Sequence, residues 1–217
     1  MKPTYTLNGT NLASLTGGKV GVSEFAGGFD ALERKTNQLY ESPSQHGTLI
    51  RNTDIRYNYR RLTLNIWADA AFGHTGQEVA KALRALFNAD KPSRLVRTMG
   101  TDVAVWDVYY DSLTIADIFS ETFRSGTLTM IEPLPVKNVY KAIAYSASIT
   151  TAAATEGETQ HPVTIGWGDG TYEENLRAGT HSHTYTDSAS EHYITVAGVL
   201  EKISITTSLT LKYATLQ

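Results

Sequence analysis

The stretch Arg61-Leu-Thr-Leu-Asn-Ile-Trp-Ala68 decides the fold of the first half of this chain. Its apolar residues Leu62, Leu64, Ile66 and Ala68 alternate with Thr63, Asn65 and Trp67. Successive side chains of a strand point to opposite faces, so this alternation predicts a half-buried β-strand with one apolar face.

Three neighbouring segments show the same alternation and predict three more strands, with a turn at Gly100-Thr-Asp102 between the first two. These segments are 94–98, 103–110 and 122–131. The first half is therefore predicted to be an α+β domain of antiparallel sheets with one helix, in a chain that is mainly β.

The helix is predicted over residues 75–89. Thr75 and Glu78 have the spacing of a capping box, in which the two side chains satisfy free N–H groups at the helix start. An apolar stripe at helical spacing follows, and Pro92 lies just beyond it. The stripe consists of Val79, Leu83, Leu86 and Phe87.

Composition narrows the function without naming it. The chain has 217 residues, no cysteine and a net charge of −3, with 41% hydrophobic and 19% charged residues. Disulfides, cysteine-bound metals and thiol catalysis are excluded, and no basic excess suggests a dedicated nucleic-acid or membrane-surface protein. The N-terminus carries no apolar leader, which predicts a soluble protein made in the cytoplasm.

The pattern changes near residue 137. Residues 1–137 carry a net charge of +1 and residues 138–217 a net charge of −4, and the second segment is rich in threonine and serine with no helical period. The change follows Glu132-Pro-Leu-Pro-Val136, so we predict two domains, 1–137 and 138–217.

The first domain resembles a known family in the order of its motifs. These are Tyr5-Thr-Leu-Asn-Gly-Thr-Asn-Leu12, Gly21-Val22, His46-Gly-Thr-Leu49, the arginine-flanked strand 60–68, one helix, three strands and a closing Glu132-Pro133. Over about residues 4–137 this order is similar to the N-terminal domain of the distal tail protein of long-tailed bacteriophages. The resemblance implies a virion protein that forms a ring, commonly a hexamer, joining the tail tube to the baseplate or fibres, without catalysis or cofactors.

Two features of the first domain are candidates for contacts in such a ring. The segment 24–47 is rich in turn-forming residues and predicts a long loop or arm that contacts a partner. Four arginines surround the deciding strand, and ion pairs with neighbouring subunits are favoured over contact with passing DNA, because acidic residues lie close by. They are Arg51, Arg56, Arg60 and Arg61.

The second domain contains Val163-Thr-Ile-Gly-Trp-Gly-Asp-Gly170, followed by His183 and Tyr185. Over about residues 138–204 this series resembles PKD-like, immunoglobulin-type domains, with His192 at a position where that family usually has tyrosine. The resemblance implies an appended Ig-like β-sandwich, displayed outward for contact with a partner or a host glycan. Trp167 is expected to anchor its core, and Tyr185 to form a tyrosine corner.

The segment Gly168-Asp169-Gly170 has alternative interpretations. A phosphate loop would open into a helix, but here Glu173 and Glu174 follow, and a hairpin turn is favoured. Calcium binding through Asp169 and these glutamates is the weaker alternative. His181 and His183 lie on one face of a strand and are weak metal candidates, because the sequence shows no further ligand beside them.

Two other classes of function stay open. The chain could be a cell-surface or secreted module that binds carbohydrate or protein, although it shows no signal peptide. An enzyme is disfavoured, because the sequence contains no Gly-x-Ser-x-Gly elbow, no His-Glu-x-x-His motif and no local acid–base pair.

Overall fold

The structure is a computed structural model of a mainly β protein. In the described part of the chain there is one α-helix, and all paired strands are antiparallel, so the predicted fold class is confirmed. The described residues are 2–17, 20–35, 39–41, 48–50, 56–69, 76–117, 123–143, 145–154, 161–186 and 190–215.

The N-terminal half contains a seven-stranded sheet in the order β2-β1-β7-β8-β9-β6-β3 and a separate hairpin of β4 and β5. A 3₁₀ helix at Leu12–Gly17 leads into β3, and helix α1 spans Gly76–Ala85. The strands are β1 (Thr4–Leu7), β2 (Thr10–Asn11), β3 (Val20–Ala26), β4 (Leu39–Glu41), β5 (Thr48–Ile50), β6 (Arg60–Asp69), β7 (Ser93–Met99), β8 (Asp102–Asp117) and β9 (Phe123–Glu132).

Strand β6 is the deciding stretch, extended by one residue at each end. Leu62 faces Met130 and Leu64 faces Leu128 across the β6–β9 ladder. All four side chains are fully buried in the N-terminal core. The odd positions of β6 lie on the opposite side of the sheet, as the alternation predicts.

Helix α1 covers this core and ends four residues earlier than predicted. Val79 and Leu83 are buried, whereas Leu86 and Phe87 are partly buried and pack against the same core. The backbone after Ala85 turns more tightly, since the amide of Leu86 donates to the carbonyl of Leu83 at 3.2 Å. The stripe thus continues past the last helical residue, and Thr75 lies outside the described residues.

The C-terminal half is a sandwich of two sheets in the order β13-β12-β15-β10-β17 and β14-β11-β16. Side chains of both sheets form a second core cluster around Ile149, Ile165 and Trp167. Its strands are β10 (Lys137–Ala142), β11 (Ser146–Ala153), β12 (Val163–Gly166), β13 (Tyr172–Leu176), β14 (Gly179–Thr184), β15 (His192–Gly198), β16 (Ile203–Thr206) and β17 (Thr210–Ala214). No helix in the described residues is long and apolar enough to cross a membrane.

Candidate functional site at the junction of the two halves

The two halves meet where the outer side of β7 and β8 lies against the five-stranded sheet. On β8, Trp106 and Val108 belong to the N-terminal core, so the alternation directs Val105 and Asp107 towards the C-terminal half. Val105 and Val139 are fully buried, although neither belongs to a core cluster. The junction therefore buries apolar surface of its own.

An arginine–aspartate pair stands at the junction. The guanidinium of Arg94 donates from Nε to Oδ1 of Asp107 at 2.9 Å and from Nη2 to Oδ2 at 3.1 Å. The same guanidinium donates to the carbonyls of Tyr193 and Gly166 and, at 2.8 Å, to the hydroxyl of Thr195. One side chain of the N-terminal half thus binds three residues of the C-terminal half.

The carboxylate of Asp107 also reaches across the junction. It accepts a hydrogen bond from the hydroxyl of Tyr172 at 2.7 Å and one from the hydroxyl of Thr195 at 2.5 Å. Burial would raise the pKa of Asp107, but the charge and hydrogen bonds of Arg94 outweigh burial and lower it to about 2. Burial raises the pKa of Tyr172, so the phenol stays a donor. The pair is a charge-assisted network in which both charges are hydrogen-bonded.

A second ion cluster lies at the crossover from β9 to β10. Lys137 Nζ donates to Oε1 of Glu132, and both side chains are almost fully buried. Arg60 donates to the carbonyl of Gly28 at 2.8 Å, and its Nη1 lies 3.5 Å from Oε2 of Glu132. Burial raises the pKa of Glu132, and the charge of Lys137 opposes that rise only in part.

Three further contacts extend the junction. The hydroxyl of Tyr213 lies 2.9 Å from both the amide and the carbonyl of Val105, so it accepts from one and donates to the other. Lys91 donates to the carbonyl of Gly170 at 2.7 Å. Arg56 lies 3.5 Å from Glu201. The halves are therefore tied at several separate points.

The Gly-Asp-Gly segment forms the turn between β12 and β13. The amide of Trp167 donates to the carbonyl of Thr171 at 3.0 Å, and Gly168 and Gly170 have φ angles of 100° and 92°. Asp169 accepts from the amide of Thr171 at 3.0 Å through Oδ1. Glycine suits both positions, because other residues rarely adopt a positive φ. The turn faces the N-terminal half, since Lys91 binds Gly170.

Trp167 and the later motif residues form one cluster behind this turn. The Trp167 side chain is fully buried and donates to Oε1 of Glu173 at 2.7 Å. Tyr185 donates to the Trp167 carbonyl at 2.8 Å, and its ring stacks on His192 with centroids 3.8 Å apart. The ring of His183 stacks on Trp167 with centroids 5.2 Å apart. These aromatic residues fix the turn to the sandwich core.

The two histidines considered as metal ligands, His181 and His183, contact other protein groups. His183 Nε2 lies 2.7 Å from Oδ2 of Asp169, and His181 Nε2 lies 3.0 Å from the carbonyl of Arg177. Hydrogen bonds from Thr171 and His183 outweigh burial and lower the pKa of Asp169 to about 2. In the described ranges, no three His, Cys, Asp or Glu residues are grouped in a way that could hold a metal ion.

The arginines near β6 differ in their surroundings. The side chain of Arg60 is 12% exposed and lies beside Glu132, whereas Arg61 is 58% exposed and lies 3.7 Å from Asp111. Arg51 lies outside the described residues. An intersubunit role for these arginines, including Arg56, stays a prediction.

Two grooves flank the junction. One, of about 750 Å³, lies between the Gly-Asp-Gly turn and β1, and is lined by Asn8, Asn88, Lys91 and Tyr193 among others. The other, of about 670 Å³, lies beside the exposed ring of Phe29 and next to Trp106. In the first groove Thr171 Oγ1 lies 3.4 Å from Nε2 of His183, but the same nitrogen lies 2.7 Å from Asp169, so the three side chains do not form a nucleophile–base–acid relay.

Sequence reasoning missed the central pair of the junction. Arg94 and Asp107 face each other across the β7–β8 ladder. Asp107 is a single charge between Trp106 and Val108, in a strand with apolar residues on both faces, and Arg94 lies opposite it. That pattern is a signal for a sheet covered on both faces, because an unpaired charge would not be buried there.

The fold and the junction define a mainly β protein with two cores joined by buried ion pairs. No protein-family model matches the sequence, and no curated protein matches it. Among solved structures, the chain is similar to the Dit protein of phage SPP1, described as a paradigm of the hub adsorption apparatus in phages that infect Gram-positive bacteria. Identity is 10%, the match covers 95% of this chain and 100% of that chain, and the TM-score is 0.48.

It is also similar to chains of the phage p2 baseplate in its activated conformation. In the match to the baseplate structure with strontium, the identity is 11%, the match covers 99% of this chain and 96% of that chain, and the TM-score is 0.43. In the match to the baseplate structure with calcium, the identity is 11%, the match covers 99% of this chain and 86% of that chain, and the TM-score is 0.41. At TM-scores below 0.5 these similarities do not by themselves define the fold or function of this chain.

Proposed function

We propose that this protein is a structural subunit of a phage tail tip that forms a ring between the tail tube and the baseplate or fibres. The observation that carries the proposal is the order of elements in residues 4–132. An opening strand pair, a strand containing Gly21-Val22, the long strand β6, one helix and three strands ending at Glu132 follow the order of the distal-tail resemblance. The role involves no catalysis and no cofactor.

The junction suits this role. Its charges are buried and hydrogen-bonded to residues of the other half, so relative motion of the halves would break several charge-assisted bonds at once. Such bonds resist relative motion of the halves, which suits a ring subunit that transmits force. Domain motion, by contrast, is the default where the interface is small and polar.

We propose further that the C-terminal half is an Ig-like sandwich displayed outward from the ring. Its five-stranded sheet carries the contacts with the N-terminal half, which leaves the three-stranded sheet β14-β11-β16 as the outward surface for a partner protein or a host glycan. The buried Trp167 and the hydrogen bond from Tyr185 to its carbonyl support the Ig-like assignment.

Native mass spectrometry and negative-stain electron microscopy test the ring. The expected result is one discrete closed oligomer, with six chains as the resemblance implies, and ring-shaped particles. A strict monomer at high protein concentration, with no rings in the micrographs, would refute the proposal. A glycan array probed with the full chain tests the outward surface separately.

A further inference from the structure

Part of strand β8 lacks a neighbouring strand on one side. β7 pairs with β8 over residues 102–108, whereas β9 pairs with it only from Tyr109 onwards. Within the described sheet, the first half of β8 therefore has a strand on one side only. We call its other side the free edge and define it by Val103, Val105 and Asp107.

The backbone groups of these three residues point to the free edge. In an antiparallel pair, residues that bond the neighbouring strand alternate with residues whose N–H and C=O point the other way. The N–H and the C=O of Arg94 both bond Asn8, so Arg94 and the residue opposite it, Asp107, do not bond each other through their backbones. Val103 and Val105 lie four and two residues before Asp107 and point the same way.

Two prolines explain why β9 does not cover this edge. If β9 continued in the register of its ladder with β8, Pro133 would lie opposite Asp107. In the same register, Pro135 would lie opposite Val105. Both positions would have to donate to β8, and proline has no N–H. The strand ends at Glu132 instead, and the chain crosses to β10.

A tyrosine hydroxyl takes the place of the missing strand. Tyr213 of β17 accepts from the amide of Val105 and donates to its carbonyl, both at 2.9 Å. Burial raises the pKa of Tyr213, so the phenol keeps the proton that it donates. Val103, Tyr213 and Thr215 also line the groove of about 670 Å³ beside Phe29. Strand β17 thus covers the centre of the free edge.

Strand β17 is held weakly by the rest of the sandwich. Among the described strands it pairs with β10 alone, and this ladder is irregular between Val139 and Tyr140. Its first three residues are exposed and its last two are partly buried. None of the five belongs to the C-terminal core cluster. Segments with few buried apolar contacts open at a lower free energy than the cores.

We propose that β17 is a strap that opens as a unit while both cores stay folded, and that its opening exposes a docking site for an extended peptide segment. The inference concerns a single chain and is independent of the proposed ring. The Arg94 network contains no residue of β17, so the halves stay together while the strap is open. The open edge then presents the N–H and C=O of Val103 and Val105, which an extended segment pairs with as an added strand.

Hydrogen exchange of single amides, followed by NMR, tests the opening of the strap. The amide of Val105 is bonded to Tyr213, whereas those of Ala104 and Trp106 point to β7. We expect the amides of β17 and of Val105 to exchange at similar rates, about tenfold or more faster than those of Ala104 and Trp106, because only the first group is released by local opening.

A matched pair of variants tests the role of the hydroxyl. Tyr213→Phe removes both bonds to Val105 and should speed exchange of that amide by about tenfold or more. Tyr145→Phe removes the hydroxyl of a tyrosine that is 66% exposed and should leave the exchange unchanged. Circular dichroism and unfolding curves establish that both variants fold as the parent does.

A labelled five-residue peptide of alternating threonine and valine, capped at both ends, tests the docking site by fluorescence anisotropy. Tyr213→Phe should bind it about tenfold or more tightly than Tyr145→Phe, because the backbone groups of Val105 are then free to pair. Equal affinity, or no binding to either variant, would refute the docking site.

Two results would overturn the strap. Amides of β17 that exchange as slowly as those of Ala104 and Trp106 would make this strand a fixed part of the fold. Unchanged exchange of the Val105 amide in Tyr213→Phe would mean that another group covers the edge. The first comparison is made in the parent protein, so it decides the question even where the variant fails to fold.

Discussion

Replacement of Arg94 by methionine should destabilise the whole molecule. Methionine keeps an unbranched apolar stem but removes the cation that faces the carboxylate of Asp107. Breaking a buried pair by removing one partner costs about 3–5 kcal/mol, since the other charge stays buried without compensation. The pKa of Asp107, lowered from 3.8 to about 2, independently corresponds to about 2 kcal/mol of this stabilisation. The carbonyls of Gly166 and Tyr193 lose a donor as well, which adds to the loss.

Urea unfolding followed by tryptophan fluorescence measures this loss. Trp106 and Trp167 report on the two cores, and the parent should unfold in a single transition because the junction couples them. The control is Arg61→Met, which removes an arginine that is 58% exposed and 3.7 Å from its carboxylate, and should cost less than about 1 kcal/mol. An Arg94→Met variant no less stable than this control would refute the coupling.

The pH dependence supplies a second readout for the same pair. The pKa of Asp107 is lower in the folded chain than its ordinary value of 3.8, so folding favours the ionised form. The stabilisation is therefore fully present above about pH 4 and is lost as the pH falls towards 2. In Arg94→Met, burial acts without the opposing cation and should raise this pKa, so the acid-induced loss in that window should shrink or reverse. An unchanged acid profile would contradict the assignment.

Four more substitutions have definite expectations in the same urea assay. Tyr185→Phe removes the donor to the buried carbonyl of Trp167 and should cost about 1–3 kcal/mol, and a loss near zero would contradict that hydrogen bond. Gly168→Ala should lower the free energy of unfolding more than Gly170→Ala. Both positions have a positive φ, but only the added Cβ at residue 168 would lie 3.0 Å from backbone atoms of Tyr193. Equal losses of stability would contradict this crowding. Leu64→Ala leaves a cavity at a fully buried position and should lower the free energy of unfolding by about 2–5 kcal/mol. A loss below about 1 kcal/mol would mean that neighbouring side chains repack into the cavity.

The sequence allowed the secondary structure and the faces of the strands to be predicted where the alternation was regular. The alternation around Leu64 predicted β6 and its buried face correctly, because a half-buried strand must repeat with period two. The end of α1 was wrong by four residues. The apolar stripe that predicts helix length continues through Phe87, but the backbone leaves the α-helix at Ala85 and still places that ring against the core.

The junction is where sequence reasoning failed, for a physical reason. Arg94 and Thr195 are 101 positions apart, and only the packing of two complete sheets brings them together. Local patterns carry no information about which outer faces meet. The pairing of Arg94 with Asp107 was easier to predict, because the two residues lie on adjacent strands joined by a short turn. The sequence identified the motif residues around Trp167, but it did not predict that their turn faces the N-terminal half.

Strand β8 runs for 16 residues, Asp102–Asp117, and contributes both to the N-terminal core and to the junction. A pull on the C-terminal half would therefore load β8 sideways through Asp107 and Val105, and the whole hydrogen-bonded sheet would share that load. The stretch between the halves, residues 133–136, would bear little of it. A protein under load would benefit from such load sharing, because force applied to one half would spread into the sheet of the other without stretching the connecting segment.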